Sequence, residues 1–202
     1  MIFIAHRVNN LNTLKLTPKH YGIEVDIRSK GEKLIIHHDP FSEGESFESW
    51  INFFEHSFLI LNIKEEGLED KIIHLMNKKN INNYFFLDQS FPFILKYSKK
   101  SSRRSAIRVS EFESIETAIK ASAYASWVWV DCFSHFPLTK SEYTKLKKEG
   151  YKLCLVSPEL QGRNSDKEIE EIFNFLKKNN MFFDAICSKK PNFWEDLYDS
   201  KQ

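Results

Sequence analysis

Short, almost continuously apolar runs alternate along the chain with longer amphipathic stretches. The runs fall at 2–5, 22–27, 58–63, 84–88, 105–109, 126–133, 152–156 and 185–188. Eight such runs, rich in Ile, Val, Leu and Phe, predict parallel strands covered on both faces. A shorter segment at 33–37 follows the turn Ser29-Lys30-Gly31-Glu32 and predicts a hairpin partner beside the second run. Between the runs lie helical patterns at 11–20, 47–54, 91–99, 113–121 and 192–198, and Leu68, Ile72, Leu75 and Met76 form an apolar stripe before 84. Thr139-Lys140-Ser141-Glu142 opens a helix that runs to Gly150. The stretch 165–179 carries Ser165 as cap, Glu168 at capping-box spacing, and the stripe Ile169, Ile172, Phe173 and Leu176. Strand and helix repeated eight times predict an α/β protein. The expected form is one compact (β/α)8 TIM barrel over 1–202, with a small extra hairpin strand after strand 2. An open doubly wound sheet shares this periodicity.

Composition narrows the function. The 202 residues carry 29 Lys+Arg against 28 Asp+Glu, a formal charge of +1, so the basic excess of a nucleic-acid binder is missing. With 42% hydrophobic residues and 18 Phe, the chain has a core to bury, and the oligomeric state stays open, since the aromatic content permits an exposed Phe/Tyr patch as an interface. The N-terminus lacks a basic region followed by a signal-peptide apolar core, and no apolar run spans a bilayer. The expected protein is therefore cytoplasmic, without a stable membrane anchor. Cys132, Cys154 and Cys187 sit in apolar runs without metal or disulfide spacing and read as small buried hydrophobes.

In a barrel the chemistry gathers at the C-terminal strand ends. Those ends here carry His6-Arg7, Glu24-Val25-Asp26, His37-His38-Asp39, Asn62-Ile63-Lys64, Asp88, Arg108, Asp131, Glu159 and Lys189. Glu24 and Asp26, two apart on one strand, share a face, and converging carboxylates call for a cation. Oxygen donors suit Mg²⁺ or Ca²⁺. The competing reading has Arg28 or another surface cation pair with one carboxylate while both face solvent. His6 and His38 are candidates for an acid/base pair, with Arg7 and Lys64 holding a phosphate. His20, His56, His74 and His135 read as structural, and His37 as pointing away from His38.

These stretches resemble a known family. Ile2-Phe3-Ile4-Ala5-His6-Arg7-Val8, Leu11-Asn12-Thr13, Gly22-Ile23-Glu24-Val25-Asp26 and Leu34-Ile35-Ile36-His37-His38-Asp39-Pro40 are similar, in order and spacing, to the opening of the glycerophosphodiester phosphodiesterases. Those enzymes belong to the phospholipase C-like phosphodiesterase superfamily of TIM barrels. Beyond Lys64 the likeness is only architectural. The resemblance implies a metal-dependent phosphoric diester hydrolase. In it His6 and His38 are the acid/base pair, Glu24 and Asp26 bind a divalent cation (Mg²⁺ or Ca²⁺), and Arg7 and Lys64 contact the phosphate. Val8 and Leu11 depart from the family's glycine and glutamate. Asn62 replaces a third carboxylate; its amide oxygen remains an acceptable donor, and Asp88 or Asp131 could supply the missing charge.

Strand 7 ends in Ser157-Pro158-Glu159-Leu160, where Glu159 suggests a polar or cationic substrate group; the alternative is that it binds Arg163 or a loop amide. Trp127 and Trp129 read as core facing the helices. The expected partner is a small soluble phosphodiester, with neither nucleic acid nor membrane attachment. Two other readings compete: a metal-independent, cyclising phospholipase C-like cleavage with Arg108 as the cation, and a degenerate barrel that binds a phosphorylated ligand without turnover.

Overall fold

The computed structural model describes residues 1–163 and 166–200. In chain order the strands are β1 (Ile2–Ala5), β2 (Gly22–Lys30), β3 (Lys33–Ile36), β4 (Glu45–Ser46), β5 (Phe58–Ile63), β6 (Tyr84–Leu87), β7 (Ala106–Val109), β8 (Trp127–Val130), β9 (Lys152–Val156) and β10 (Ala185–Ser188). The helices are α1 (Leu11–Leu16), α2 (Phe47–Trp50), α3 (Glu69–Lys78), α4 (Phe91–Tyr97), α5 (Ile115–Lys120), α6 (Lys140–Lys148), α7 (Asp166–Lys178) and α8 (Pro191–Asp199). Together they make a mixed α/β fold around a ten-stranded sheet.

β1 pairs in parallel with β2 and with β10, β2 with β5, β5 with β6, and β7, β8, β9 and β10 follow one another, also parallel. Between β6 and β7 the link is a single parallel bridge, Phe86 with Ser105, beside the Phe86 amide donating to the Arg104 carbonyl at 2.7 Å. The far end of β2 turns into an antiparallel ladder with β3, Ile27 opposite Ile36. β1, β2 and β5 approach so closely at Gly22 that a Cβ there would lie 2.8 Å from Ile4 Cγ1 and 3.1 Å from Phe58 Cβ.

The strands sort their residues by parity. Ile23, Val25, Ile27, Leu59, Leu61 and Ile63 pack outward with α2 and α3, and Val128, Val130, Leu153 and Leu155 with α6 and α7. The other parity lines the inner face, where Ile4, Phe58, Ile60, Phe85, Trp127, Trp129, Cys154 and Cys187 form a third cluster. Trp127 and Trp129 therefore face inward, not toward the helices. Trp127 lies 5.2 Å from the Phe58 ring and 4.8 Å from Phe85, because Val128 and Val130 take the outward positions. Toward the C-terminal strand ends this inner face changes from apolar to charged.

The helices differ from expectation mainly at their ends. α1 stops at Leu16, since the residue before Pro18 is pushed out of the helical region. α6 carries its capping box: the Glu142 amide donates to Thr139 Oγ1 at 3.3 Å and the Thr139 amide to Glu142 Oε2 at 2.8 Å. The expected cap of α7, Ser165, lies outside the described residues, and Glu168 instead accepts from Arg163. The three cysteines are free and buried.

Candidate active site

Glu24 and Asp26 are fully buried at the inner end of β2. The turn after β1 wraps around the first of them. Arg7 adopts φ +54°, uncommon for a residue with a Cβ, and its amide donates to Glu24 Oε2 at 2.7 Å, while the Val8 amide donates to the Glu24 carbonyl at 2.9 Å. Register places Asn62 of β5 opposite Asp26, and Asn62 Nδ2 donates to Glu24 Oε1 at 2.9 Å. Burial, followed by the neighbouring Asp26, raises the Glu24 pKa well above the carboxylate range, against the pull of Asn62 and the Arg7 amide. Asn9 grips Asp26 at two points, its Nδ2 donating to Oδ2 at 2.8 Å and its Oδ1 accepting the Asp26 amide at 3.0 Å.

Three polar atoms in this cluster lack a hydrogen-bond partner: Asp26 Oδ1, Asn62 Oδ1 and His6 Nδ1. Two of them are oxygens that suit a hard cation. Among the described residues no group of three His, Cys, Asp or Glu is arranged to hold a metal ion, and the third oxygen beside Glu24 and Asp26 belongs to the Asn62 amide. His6 Nε2 lies 3.8 Å from Glu24 Oε2. Burial depresses the imidazole to about 3, helped by Arg7, Lys189, Lys64 and His38 in that order, so His6 is neutral near pH 7.

The cations form a chain with the remaining acids. Arg7 Nε is 3.7 Å from Asp26 Oδ2, and the Lys64 ammonium stands between Asp26 Oδ1 (3.3 Å) and Asp88 Oδ2 (3.2 Å). Arg108 in turn joins Asp88 Oδ1 to Asp131 Oδ2. Asp131 also accepts from Gln161 Nε2 at 2.7 Å. Asp88 and Asp131, expected as possible further oxygen donors, are each paired with a cation, Asp88 with Lys64 and Arg108 and Asp131 with Arg108. A cavity of about 710 Å³ opens beside this chain, lined by Lys64, Asp88, Arg108, Phe91, Phe112 and Glu113.

His38 follows β3 in a loop, with Nδ1 2.8 Å from Asp39 Oδ1. His37 is tied locally, its Nδ1 accepting the Asp39 amide at 3.0 Å. Arg28, expected as a possible partner of the carboxylates, pairs with neither and donates to the carbonyls of His38 and Lys64. Glu159 does not line the cavity as a substrate contact. It is buried and accepts from the Ser157 hydroxyl, from Ser188 Oγ at 2.5 Å and from the Lys189 amide at 3.0 Å, so it ties the ends of β9 and β10 together. Arg163 turns instead to Glu168 and the Cys132 carbonyl. Asn9 and Gln161 escaped the sequence reading, in which Arg28 stood only as a possible partner of the carboxylates. Only Arg28 left a signal there, since it shares β2 parity with Glu24 and Asp26.

A sheet of mostly parallel strands flanked by helices, with buried acids and an imidazole at the C-terminal strand ends, defines a TIM-barrel-like α/β fold of the kind that places its chemistry there. Solved structures agree. A protein of Agrobacterium tumefaciens described as a putative glycerophosphoryl diester phosphodiesterase superposes with TM-score 0.72 at 11% identity, over 100% of this chain and 98% of its own. One from Parabacteroides distasonis gives 0.66 at 13%, covering 98% and 86%, and a further A. tumefaciens glycerophosphodiester phosphodiesterase gives 0.68 at 10%, covering 98% and 99%. At such identities the likeness is one of fold. No protein-family model and no curated protein matches the chain.

Proposed function

We propose that this chain is a phosphoric diester hydrolase that cleaves a small soluble glycerophosphodiester-like substrate at the cluster around Glu24. The observation that carries this is the convergence of Glu24, Asp26, Asn62, His6 and Lys64 at one end of the sheet, with Asn62 Oδ1 buried without a hydrogen-bond partner and Asp26 Oδ1 met only by the Lys64 ammonium. The three solved structures of like fold support it, being phosphodiesterases by description. We read the sheet as an eight-strand barrel joined at the Phe86–Ser105 bridge, with β3 and β4 as an added hairpin.

Glu24, Asp26 and Asn62 would hold a divalent cation, Mg²⁺ or Ca²⁺. When bound, it would lower the nucleophile's pKa and offset phosphate charge. Arg7 and Lys64 orient the phosphate and oppose charge building on its oxygens. We assign proton acceptance to His6, neutral near pH 7, whose cationic neighbours Arg7, Lys189 and Lys64 oppose its protonation until a bound phosphate anion offsets them. Donation to the leaving alcohol falls to His38, whose Nδ1 is held by Asp39 and whose Nε2 carries the transferred proton. No helix among the described residues is long and apolar enough to cross a membrane, and three free buried cysteines suit a reducing cytoplasm.

A second reading rests on Lys64, whose ammonium 3.3 Å from Asp26 already supplies a cation to the pair; it is a metal-independent cleavage that yields a cyclic phosphate. Hydrolysis of glycerophosphodiesters and an aryl phosphodiester separates the two. EDTA inhibition reversed by Mg²⁺, Ca²⁺ or Mn²⁺, with His6→Ala and His38→Ala each at least ~100-fold slower, supports the first. EDTA-resistant turnover supports the second, and no turnover on the whole panel refutes both.

A further inference from the structure

Arg28 projects from β2 two residues beyond Asp26, on the same face as the buried carboxylates, yet its hydrogen bonds go elsewhere. Its Nε and Nη2 donate to one oxygen, the His38 carbonyl, at 3.1 and 2.9 Å, and its Nη1 donates to the Lys64 carbonyl at 3.2 Å. These two carbonyls belong to different segments. Lys64 follows the last residue of β5, and His38 lies two residues past the end of β3, where the β2–β3 ladder has stopped. Just past β3 the chain also makes local contacts, the Asp39 amide on His37 Nδ1 and Asp39 Oδ1 on His38 Nδ1, before Glu43 meets Lys30 and β4 pairs back onto β3. One planar guanidinium therefore fastens the backbone that carries the candidate proton donor to the backbone that carries the candidate phosphate cation.

We infer that Arg28 is a positioning residue that sets the spacing between the His38 imidazole and the Lys64 ammonium without touching substrate. The inference rests on the roles proposed above for those two groups. Its physical basis is the shape of the donor. A guanidinium presents several N–H groups in a rigid fork and stays charged, whereas a lysine ammonium in the same place is a compact point donor on a flexible stem and cannot span both carbonyls at once. The same junction carries a second tie, the Ser29 amide on Glu65 Oε1 at 2.5 Å, so the segment after β5 is held at two points, while the loop after β3 is tied back to β2 by Arg28 at His38 and by the Lys30–Glu43 ion pair further along. A displacement of about 1 Å in a reacting group costs roughly 10²-fold in rate.

The test uses the full chain, with Arg28→Lys and Arg28→Ala compared with wild type in two measurements. In steady-state hydrolysis of the best phosphodiester, kcat/KM is expected to fall ~10²-fold in Arg28→Ala, with kcat lowered and KM raised together, because the donor and the phosphate cation both shift. Arg28→Lys, which keeps the charge and the stem, is expected to recover less than half of that loss. A role confined to folding would lower the active fraction and leave KM at its wild-type value, which overturns the inference. Separately, the ring proton–carbon correlation of His38, assigned through His38→Ala, is expected to move or broaden in both Arg28 variants while those of the exposed His20, His74 and His135 stay in place. An unmoved His38 signal overturns the inference whatever the activity. Should the wild type cleave no phosphodiester, the proposed function fails by itself, and the His38 signal alone decides whether Arg28 is the clamp.

Discussion

Asn62→Asp changes no shape and inverts one contact. In the wild type, Asn62 Nδ2 donates to Glu24 Oε1 at 2.9 Å, both groups buried. With a carboxylate at 62, two oxygens face each other at that distance, the hydrogen bond is gone, and Asp26 adds a third acid. Loss of a hydrogen bond to a charged group and the repulsion that replaces it amount to about 3 kcal/mol. For a chain of this length that lowers the metal-free Tm by about 6–12 °C. The deficit depends on pH. A carboxyl whose folded pKa is raised contributes its stability below the unfolded pKa and loses it as pH rises, so the variant approaches wild type near pH 4.5 and diverges through neutrality. Divalent cation narrows the deficit, since three carboxylates bind it more tightly than two and an amide. At a hundredfold excess over Kd, binding returns about 2.7 kcal/mol, or about 5–10 °C. Thermal melts in EDTA and in Mg²⁺, Ca²⁺ or Mn²⁺, with calorimetric titration of each ion, measure both halves. Equal melting of the two proteins in EDTA would refute the buried contact, and an equal rise with metal would refute the donor set.

Other residues give sharper structural tests. Glu159→Ala strips a buried acceptor from Ser157, Ser188 and the Lys189 amide and is expected to cost about 3 kcal/mol, read by urea melts, with KM unchanged; a KM shift of several-fold in folded protein would return Glu159 to the substrate. Burial pulls Glu111 upward, but amides of His135, Ser134 and Phe133 outweigh it and bring the carboxyl down to about 2. Because that pKa is depressed, its stabilisation is complete above the unfolded value near 4.5 and disappears as pH falls toward 2. Glu111→Gln is therefore expected to flatten this acid limb by about 1–2 kcal/mol after allowance for solvent screening, and an unchanged acid limb would refute the contact.

Spacing carried far in this chain, and contact did not. Glu24 and Asp26 are two apart on a strand, so a shared face followed from parity alone, and the same parity later accounts for Arg28. Trp127 and Trp129 stand in a run of four apolar residues with no polar marker inside it. Their face was decided by Asp131, two beyond Trp129 and buried at the mouth, a signal that lay in the sequence. Asn9 holds Asp26 from 17 residues away and Gln161 holds Asp131 from 30, through loop side chains that no period encodes. Asp88 and Asp131 looked alike as strand-end acids. Only the position of Arg108 between them shows that their charge is already answered.

The same charge chain bears on how substrate and cation would bind. Around the mouth, Asp26, Lys64, Asp88, Arg108 and Asp131 alternate in sign, so each cation is shared between acids before any ligand arrives. Arg7 and Lys64 are both paired with Asp26, so a phosphodiester anion at the proposed site would compete with Asp26 for them, and in metal-free protein that competition would hold its affinity down. A divalent ion held by Glu24, Asp26 and Asn62, as proposed, would take over the neutralisation of Asp26 and would free the two side chains to face the phosphate. Binding of the two ligands is then coupled, and linkage requires the coupling to be equal in both directions. A non-hydrolysable phosphodiester analogue is expected to bind about 5–150-fold more tightly with metal than in EDTA, and to tighten the metal by the same factor. Lys64→Met removes one of the two shared cations and is expected to shrink that factor. Calorimetric titrations of each ligand with and without the other measure it, and independent binding in the wild type would refute the competition at Asp26.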